Sequence, residues 1–255
     1  MKNILISNDD GIQAEGIRAL HDAVRPLGNV HVVAPDGERS AISQAITLTH
    51  PLYVEPWPDA SAPFGLALSG TPADCVKIAV TTLLSTPPDL VLSGINLGPN
   101  AGVSVLYSGT VSVATESLIL GLPAIAFSLD TFTNPQWNTA ARVAARLVEQ
   151  VLDGTLKIAP DVFWNVNIPN IPYEQLKGLR ITRMGDSRFM EKYTEIRDSN
   201  GRRCYDMQGD LMELGDPEGT DLQAVRQGYV SLSPIGLNRT HLEAMDTLAA
   251  QPPRL

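Results

Sequence analysis

Apolar and polar residues along this chain follow two rhythms in turn. Short runs such as Ile4-Leu5-Ile6 and Ala124-Ile125-Ala126-Phe127 carry no polar interruption, the mark of strands buried on both faces of a sheet. Between such runs lie longer stretches with apolar residues three or four positions apart, the mark of amphipathic helices. The pattern predicts strands over 3–7 and 29–34 flanking a helix over 17–24. That is a β-α-β unit, which implies a parallel sheet with a right-handed crossover. Thr71-Pro72-Ala73-Asp74 reads as a helix start, with Thr as N-cap, Pro at the first helical position and an acid at the third. This helix is expected to reach about Leu84. There follow a strand over 89–93, a Gly/Asn-rich loop from Gly94 to Gly102, and a helix over 109–120 stopped by Gly121. A strand over 124–128, a helix over 137–152 and an edge or late strand over 164–169 complete the alternation, which specifies a doubly wound α/β fold.

Beyond 180–183 the rhythm breaks. Residues 185–220 are polar and interrupted by Gly185, Gly201, Gly209, Gly215 and Gly219, so this stretch reads as a protruding hairpin or extended excursion. Strand character returns at 228–233, and 237–250 is predicted as a last helix with a short tail to 255. The whole of 1–255 is expected to be one domain bearing that excursion.

Composition narrows the partners. With 255 residues and 44% of them hydrophobic, the chain is long and apolar enough for a sizeable core. Nineteen basic against 28 acidic residues give a net charge of −9, which disfavours duplex nucleic acid. No run approaches the ~18 apolar residues of a membrane span, and no secretory leader pattern precedes the first strand. A soluble cytoplasmic protein is expected, with Cys75 and Cys204 as reduced thiols. The four histidines show no paired metal-ligand spacing, so a His-rich zinc site is not expected.

In doubly wound sheets ligands bind beyond the carboxyl ends of the strands. The first strand ends in Asn8-Asp9-Asp10-Gly11, the second leads into Pro35-Asp36-Gly37-Glu38-Arg39-Ser40, and the strand at 89–93 leads into Gly94-Ile95-Asn96 and on to Asn100. Adjacent carboxylates repel unless a cation neutralises them, and hard oxygen donors suit Mg²⁺, Mn²⁺ or Ca²⁺. Asp9-Asp10-Gly11 alone also reads as a turn. Asp9, Asp10, Ser40 and Asn96 taken together, on three strand-end loops, favour a divalent-cation site. Ser108-Gly109-Thr110 opens a predicted helix, where free N–H groups and the helix dipole suit an anion; plain N-capping by Ser108 or Thr110 is the equal alternative. Arg39 and Lys77 are candidates to neutralise phosphate, though lone basic residues are usually solvated, and Cys75 reads as packing. No G-x-G-x-x-G follows the first strand, and neither G-x-x-x-x-G-K-[ST] nor G-x-S-x-G occurs, which disfavours a dinucleotide cofactor, a P-loop and a hydrolase elbow.

The ordered set Ser7-Asn8-Asp9-Asp10-Gly11, Arg39-Ser40, Gly70-Thr71-Pro72-Ala73-Asp74-Cys75-Val76, Ser93-Gly94-Ile95-Asn96, Gly98-Pro99-Asn100, Tyr107-Ser108-Gly109-Thr110-Val111, Asn165-Val166-Asn167-Ile168-Pro169 and Thr220-Asp221 resembles the stationary-phase survival proteins of the SurE family, metal-dependent nucleotidases. The resemblance spans nearly the whole chain. It implies a Rossmann-like core with a C-terminal extension used in homodimer or homotetramer formation. It implies hydrolysis of nucleoside 5′- and 3′-monophosphates, and of short polyphosphate, with one divalent cation per subunit, Mg²⁺ or Mn²⁺. The family's metal ligands carry over to Asp9, Asp10, Ser40 and Asn96, with Asp9 and Asp10 catalytic and Ser108, Gly109, Thr110 and Asn100 holding phosphate. Val103, Ser104, Ser117 and Ala41 depart from the family's usual residues. Val103, Ser104 and Ser117 are the only support for the alternative, an inactive nucleotide- or metal-sensing module on the same fold.

Overall fold

The computed structural model describes residues 1–58, 63–212 and 215–251. The chain runs β1 (Asn3–Ser7), α1 (Glu15–Val24), β2 (Asn29–Pro35), β3 (Val54–Trp57), β4 (Gly65–Leu68), α2 (Pro72–Ile78), β5 (Leu90–Leu97), α3 (Gly109–Ile119), β6 (Ala124–Asp130), α4 (Trp137–Leu152) and β7 (Val162–Pro169). It continues through β8 (Leu179–Ile181), β9 (Arg188–Arg197), β10 (Arg203–Met212), α5 (Asp221–Arg226), β11 (Val230–Gly236) and α6 (Leu242–Ala250). One nine-stranded sheet has the order β3-β4-β2-β1-β5-β6-β7-β11-β8, and only β3–β4 and β7–β11 pair antiparallel within it.

Strand alternation divides the buried side chains into two layers. Ile4 and Ile6 of β1, Leu90 and Leu92 of β5, and Ile125 and Phe127 of β6 join one cluster with Ile17, Leu20 and Val24 of α1 and Ala140, Ala144 and Val148 of α4. Leu5, Val91, Ala124 and Ala126 face the other way, against Val76 of α2 and Val113 and Ala114 of α3. Each fully buried aliphatic side chain contributes ~1.5–3 kcal/mol. A one-residue slip of any central strand would exchange the two faces, so register is strongly specified. Helix α3 is apolar or small around most of its surface and buried along most of its length, as a central helix must be.

The doubly wound fold and the hairpin agree with the sequence pattern, and the differences have local causes. The helix starting at Pro72 leaves α-geometry after Ile78 and continues as a wider turn over Ala79–Leu83. Thr71 caps it in a complete capping box with Asp74, as its sequence requires. The segment expected as an edge or late strand, β7, lies inside the sheet between β6 and β11, because β11 returns to cover its outer side. The last helix begins at Leu242 rather than 237, capped by the side chain of His241, and residues 252–255 of the expected tail lie outside the described residues. Among the described residues no helix is long and apolar enough to cross a membrane.

Asp221 ties the hairpin's base to the loop after β5. Its fully buried carboxylate accepts backbone N–H groups from Gly102 at 2.8 Å, Gly185 at 3.0 Å and Leu222 at 2.8 Å. Removing the acceptor leaves buried donors unpaired, at about 1–3 kcal/mol each when water cannot replace it. Asp221→Ala is therefore expected to lose about 3 kcal/mol of unfolding free energy in urea titration; a loss below about 0.5 kcal/mol, the usual size for an inconsequential surface change, would remove Asp221 from that role.

Candidate active site

From β1 the chain winds to β2 on one side, then returns to β5 on the other. The carboxyl ends of β1 and β5 therefore adjoin at a topological switch point, which leaves a crevice. The loops after β1, β2 and β5 meet there. Asp9 C=O accepts the N–H of Arg39 at 2.7 Å and Pro35 C=O that of Ile12 at 2.9 Å, which binds the first two loops together. A pocket of about 220 Å³ opens between the three, lined by Asp9, Asp10, Ser40, Asn96, Asn100, Ser108, Tyr107 and Phe132 among others.

Asp9 is buried at the N-terminus of α3. Thr110 Oγ1 donates to its Oδ1, and the backbone N–H groups of Gly109 and Thr110 act on the same carboxylate. The approach is so close that a Cβ on Gly109 would lie 2.6 Å from Asp9 Cβ, so only glycine fits. Burial raises the Asp9 pKa above its ordinary value and these donors pull it back. Asp10 is less buried. Desolvation first, then the charge of Asp9, and to a smaller degree that of Glu38, push its pKa from 3.8 up to about 7, against the lowering effect of the Leu97 N–H.

The neutral donors are held by hydrogen bonds. Asn96 Nδ2 donates to the carbonyls of Leu97 at 3.1 Å and Gly98 at 2.8 Å, which fixes its amide and leaves Oδ1 as the donor atom for a cation. Ser40 Oγ donates to Glu38 Oε1 at 2.6 Å, which uses its one proton and leaves both lone pairs. Asn100 is locked through Nδ2 to Ser128 Oγ at 2.9 Å, its N–H to Asn167 Oδ1 at 2.8 Å, and its C=O to the side chains of Asn165 and Asn167.

Two members of the expected phosphate set are turned elsewhere. Thr110 is fully buried with its hydroxyl on Asp9, and Gly109 packs on the same carboxylate, so both position Asp9; neither lines the pocket. Ser108 caps α3 by accepting the Val111 N–H at 3.1 Å and also reaches the pocket wall. Arg39 pairs with Asp36 and Lys77 with Glu116, and neither lines the pocket. Cys75 is buried, which drives its thiol pKa far up and suits packing. Sequence reasoning missed Glu38 as the partner of Ser40, although it lies in the same strand-end loop. It also missed Phe132, although the turn after β6 falls under the same rule of strand ends. A larger cavity of about 780 Å³ lies beyond α3 and shares only Ser108 with this pocket; no carboxylate lines it.

Residues 4–191 match the family model described as Survival protein SurE. The chain belongs to the SurE family. It is 43% identical over 245 residues to the 5′-nucleotidase SurE of Syntrophobacter fumaroxidans, covering 96% of this chain and 97% of that one. It is 44% identical over 249 residues to the 5′-nucleotidase SurE of Alkalilimnicola ehrlichii, covering 98% and 95%. The crystal structure of the SurE protein from Aquifex aeolicus superposes with a TM-score of 0.84 at 39% identity, covering 98% of this chain and all of that one.

The donor set of this SurE-family pocket fits a hard divalent cation. Two adjacent carboxylates, an amide oxygen and a hydroxyl converge, and among the described residues no lysine or arginine forms an ion pair with Asp9 or Asp10. Among those residues no group of three or more His, Cys, Asp or Glu side chains is placed to hold a metal ion, so the two carboxylates would rely on the neutral oxygens of Ser40 and Asn96.

The raised Asp10 pKa has a defined consequence when cation is withheld. Below the ordinary value of 3.8 the carboxyl is protonated folded and unfolded, and its contribution to stability is fully present. As pH rises towards about 7 the unfolded chain releases the proton first, so stability falls across that window. In EDTA, Asp10→Asn is expected to melt above wild type at pH 8 and level with it near pH 4. Calorimetric Tm values that differ equally at both pH values would contradict this.

Proposed function

We propose that this protein is a divalent-cation-dependent phosphomonoesterase that hydrolyses nucleoside 5′- and 3′-monophosphates, with short polyphosphate as a further substrate. The observation that carries the reading is a pocket whose charged lining, among the described residues, is Asp9 and Asp10, with no basic side chain on its wall. A phosphate dianion enters such a pocket only with a cation, and the names of the curated relatives supply the substrate class. Asp9, Asp10, Ser40 and Asn96 would hold one Mg²⁺ or Mn²⁺. When bound, the cation supplies charge neutralisation and Lewis acidity to the phosphoryl group.

The residues divide the remaining work by their surroundings. Asp9, fixed by α3, keeps its place as anchoring carboxylate. Asp10, the more open of the two, takes a proton from the attacking water. Ser108 and Asn100, on the pocket wall, orient the phosphate. Water attacks phosphorus, the ester P–O bond breaks, and the nucleoside departs with the bonding electrons and takes up a proton; the products are nucleoside and inorganic phosphate.

The protein acts in the cytoplasm as a homodimer or homotetramer in this reading. Among the described residues strands β9 and β10 pair only with each other, β9 is exposed along its length, and Phe189, Met190, Tyr193, Ile196, Tyr205 and Met207 are exposed. A lone two-stranded hairpin is marginally stable in water, and so much apolar surface needs a partner, here a second copy. Tyr193 and Met207 are directly paired across the hairpin. The double variant Tyr193→Lys with Met207→Lys is expected to sediment as a monomer while wild type sediments as an oligomer; a monomeric wild type would contradict the reading.

The functional test is phosphate release from a panel of nucleoside monophosphates with Mg²⁺, Mn²⁺ or EDTA. Turnover is expected with either cation and none in EDTA. Asp9→Asn is expected to cost about a thousand-fold in kcat, the size of several kcal/mol of barrier. Near wild-type turnover in that variant sinks the mechanism. Nucleotide binding with no EDTA-sensitive turnover on any substrate favours the sensing module instead.

A further inference from the structure

The pocket above the acid pair is too small for a whole nucleotide, and its rim is aromatic. Its volume of about 220 Å³ falls below the ~300–1,000 Å³ of pockets that enclose a drug-sized ligand. A nucleoside monophosphate lodged by its phosphate beside Asp9, Asp10 and Ser108 therefore leaves its base at the rim. Phe132 lines that rim from the turn after β6 and is 75% exposed; Tyr107, 59% exposed, lines the same pocket.

The Phe132 ring is seated. A Cβ on Gly98 would meet its Cε1 at 2.4 Å, so the ring lies against the backbone just after β5, between Asn96 near the end of that strand and Asn100 in the loop. Gly98 is a glycine with φ +101°, a conformation that also disfavours a side chain there. The turn is braced by Thr131, whose N–H donates to Leu129 C=O at 2.7 Å and whose Oγ1 accepts the Thr133 N–H at 3.1 Å. A second brace runs from the Gly98 N–H to Leu129 C=O at 3.0 Å, joining the Phe132 turn to the loop after β5. A large apolar ring, positioned by its surroundings but left in water at the mouth of a polar pocket, does little for folding. It does offer a flat π-face beside the place where the base emerges, and every nucleobase has a π-face to match.

We propose that Phe132 is the stacking platform for the nucleobase and sets the preference of the enzyme for nucleotides over base-free sugar phosphates. This inference rests on the nucleotidase reading above. Because stacking acts on the base and leaves the phosphate chemistry to Asp9 and Asp10, its loss appears mainly in KM.

The test compares adenosine 5′-monophosphate with ribose 5-phosphate, which shares its sugar and phosphate but lacks the base, at saturating Mg²⁺. Wild type, Phe132→Ala and Phe132→Trp are assayed for kcat and KM, with Tm measured on each. The ratio of kcat/KM for the nucleotide to that for the sugar phosphate is expected to fall about ten-fold in Phe132→Ala, through KM. Phe132→Trp restores it. Wild-type turnover of both compounds with an unchanged ratio in Phe132→Ala overturns this inference and leaves the nucleotidase reading standing. An equal loss on both compounds overturns it as well, since that places Phe132 in phosphate or sugar binding. Wild-type turnover of neither compound overturns both readings together.

Discussion

The carboxylate of Asp9 against the amide end of α3 is the contact on which the rest of the site depends. A buried carboxylate is costly unless donors surround it. Here the donors come from one turn of one helix: the Thr110 hydroxyl and the N–H groups of Gly109 and Thr110. The positive end of the helix dipole adds to them. Closeness is possible because Gly109 has no side chain and because α3, buried on nearly every face, is held by the sheet on one side and α2 on the other. The helix is thereby placed with respect to β1, and β1 with respect to β5. The crevice between those two strands has a fixed floor.

Ser108 stands where two uses of that helix end meet. Its hydroxyl accepts the Val111 N–H, so capping accounts for one lone pair. A hydroxyl keeps a second lone pair and its proton, and Ser108 lies on the pocket wall. Capping and ligand contact are therefore compatible at Ser108. At Thr110 they are not, because its hydroxyl proton is committed to Asp9. The two residues, which look equivalent in the stretch Ser108-Gly109-Thr110, are separated by which way one turn of helix directs them.

That separation marks the limit of what the chain discloses by its order. Helix α4 was legible to the residue, because sixteen residues of unbroken periodicity admit no other element. The central strands were legible because buried parallel strands are uniformly apolar. Strands β3 and β4 were not, being four residues each and carrying Pro56 and Gly65. β7 reads as an edge or late strand because it closes the alternating run, and Asn165 and Asn167 do not announce an interior place. Both are fully buried, and their side chains donate to Asn100 C=O, a partner more than sixty positions away. Asp9, Asp10, Ser40 and Asn96 could be named because strand ends are where ligands bind, a rule of topology that needs no coordinates. The partner of Thr110 lies 101 positions away, and nothing local announces it.

The two sides of the crevice are held by different contacts. The loop after β5 is pinned by Ser128, Asn165 and Asn167 at Asn100 and by Asp221 at Gly102. The loop after β2 is tied through Arg39 to Asp9, and beyond that point Ser40 and Ala41 are exposed. Ala41 and Ser43 hold positive φ angles of 55° and 56°, which non-glycine residues adopt at some cost. Asn96 and Asn100 are fixed by their side-chain bonds, and Ser43 holds the far end of the Ser40 loop by donating to the carbonyls of Tyr107 at 2.9 Å and Leu106 at 2.8 Å. The bond of Ser40 to Glu38 engages its one proton, so its oxygen keeps lone pairs on the pocket wall. A fixed amide on one wall and an exposed hydroxyl, its proton held, on the other set two neutral oxygens beside the acid pair.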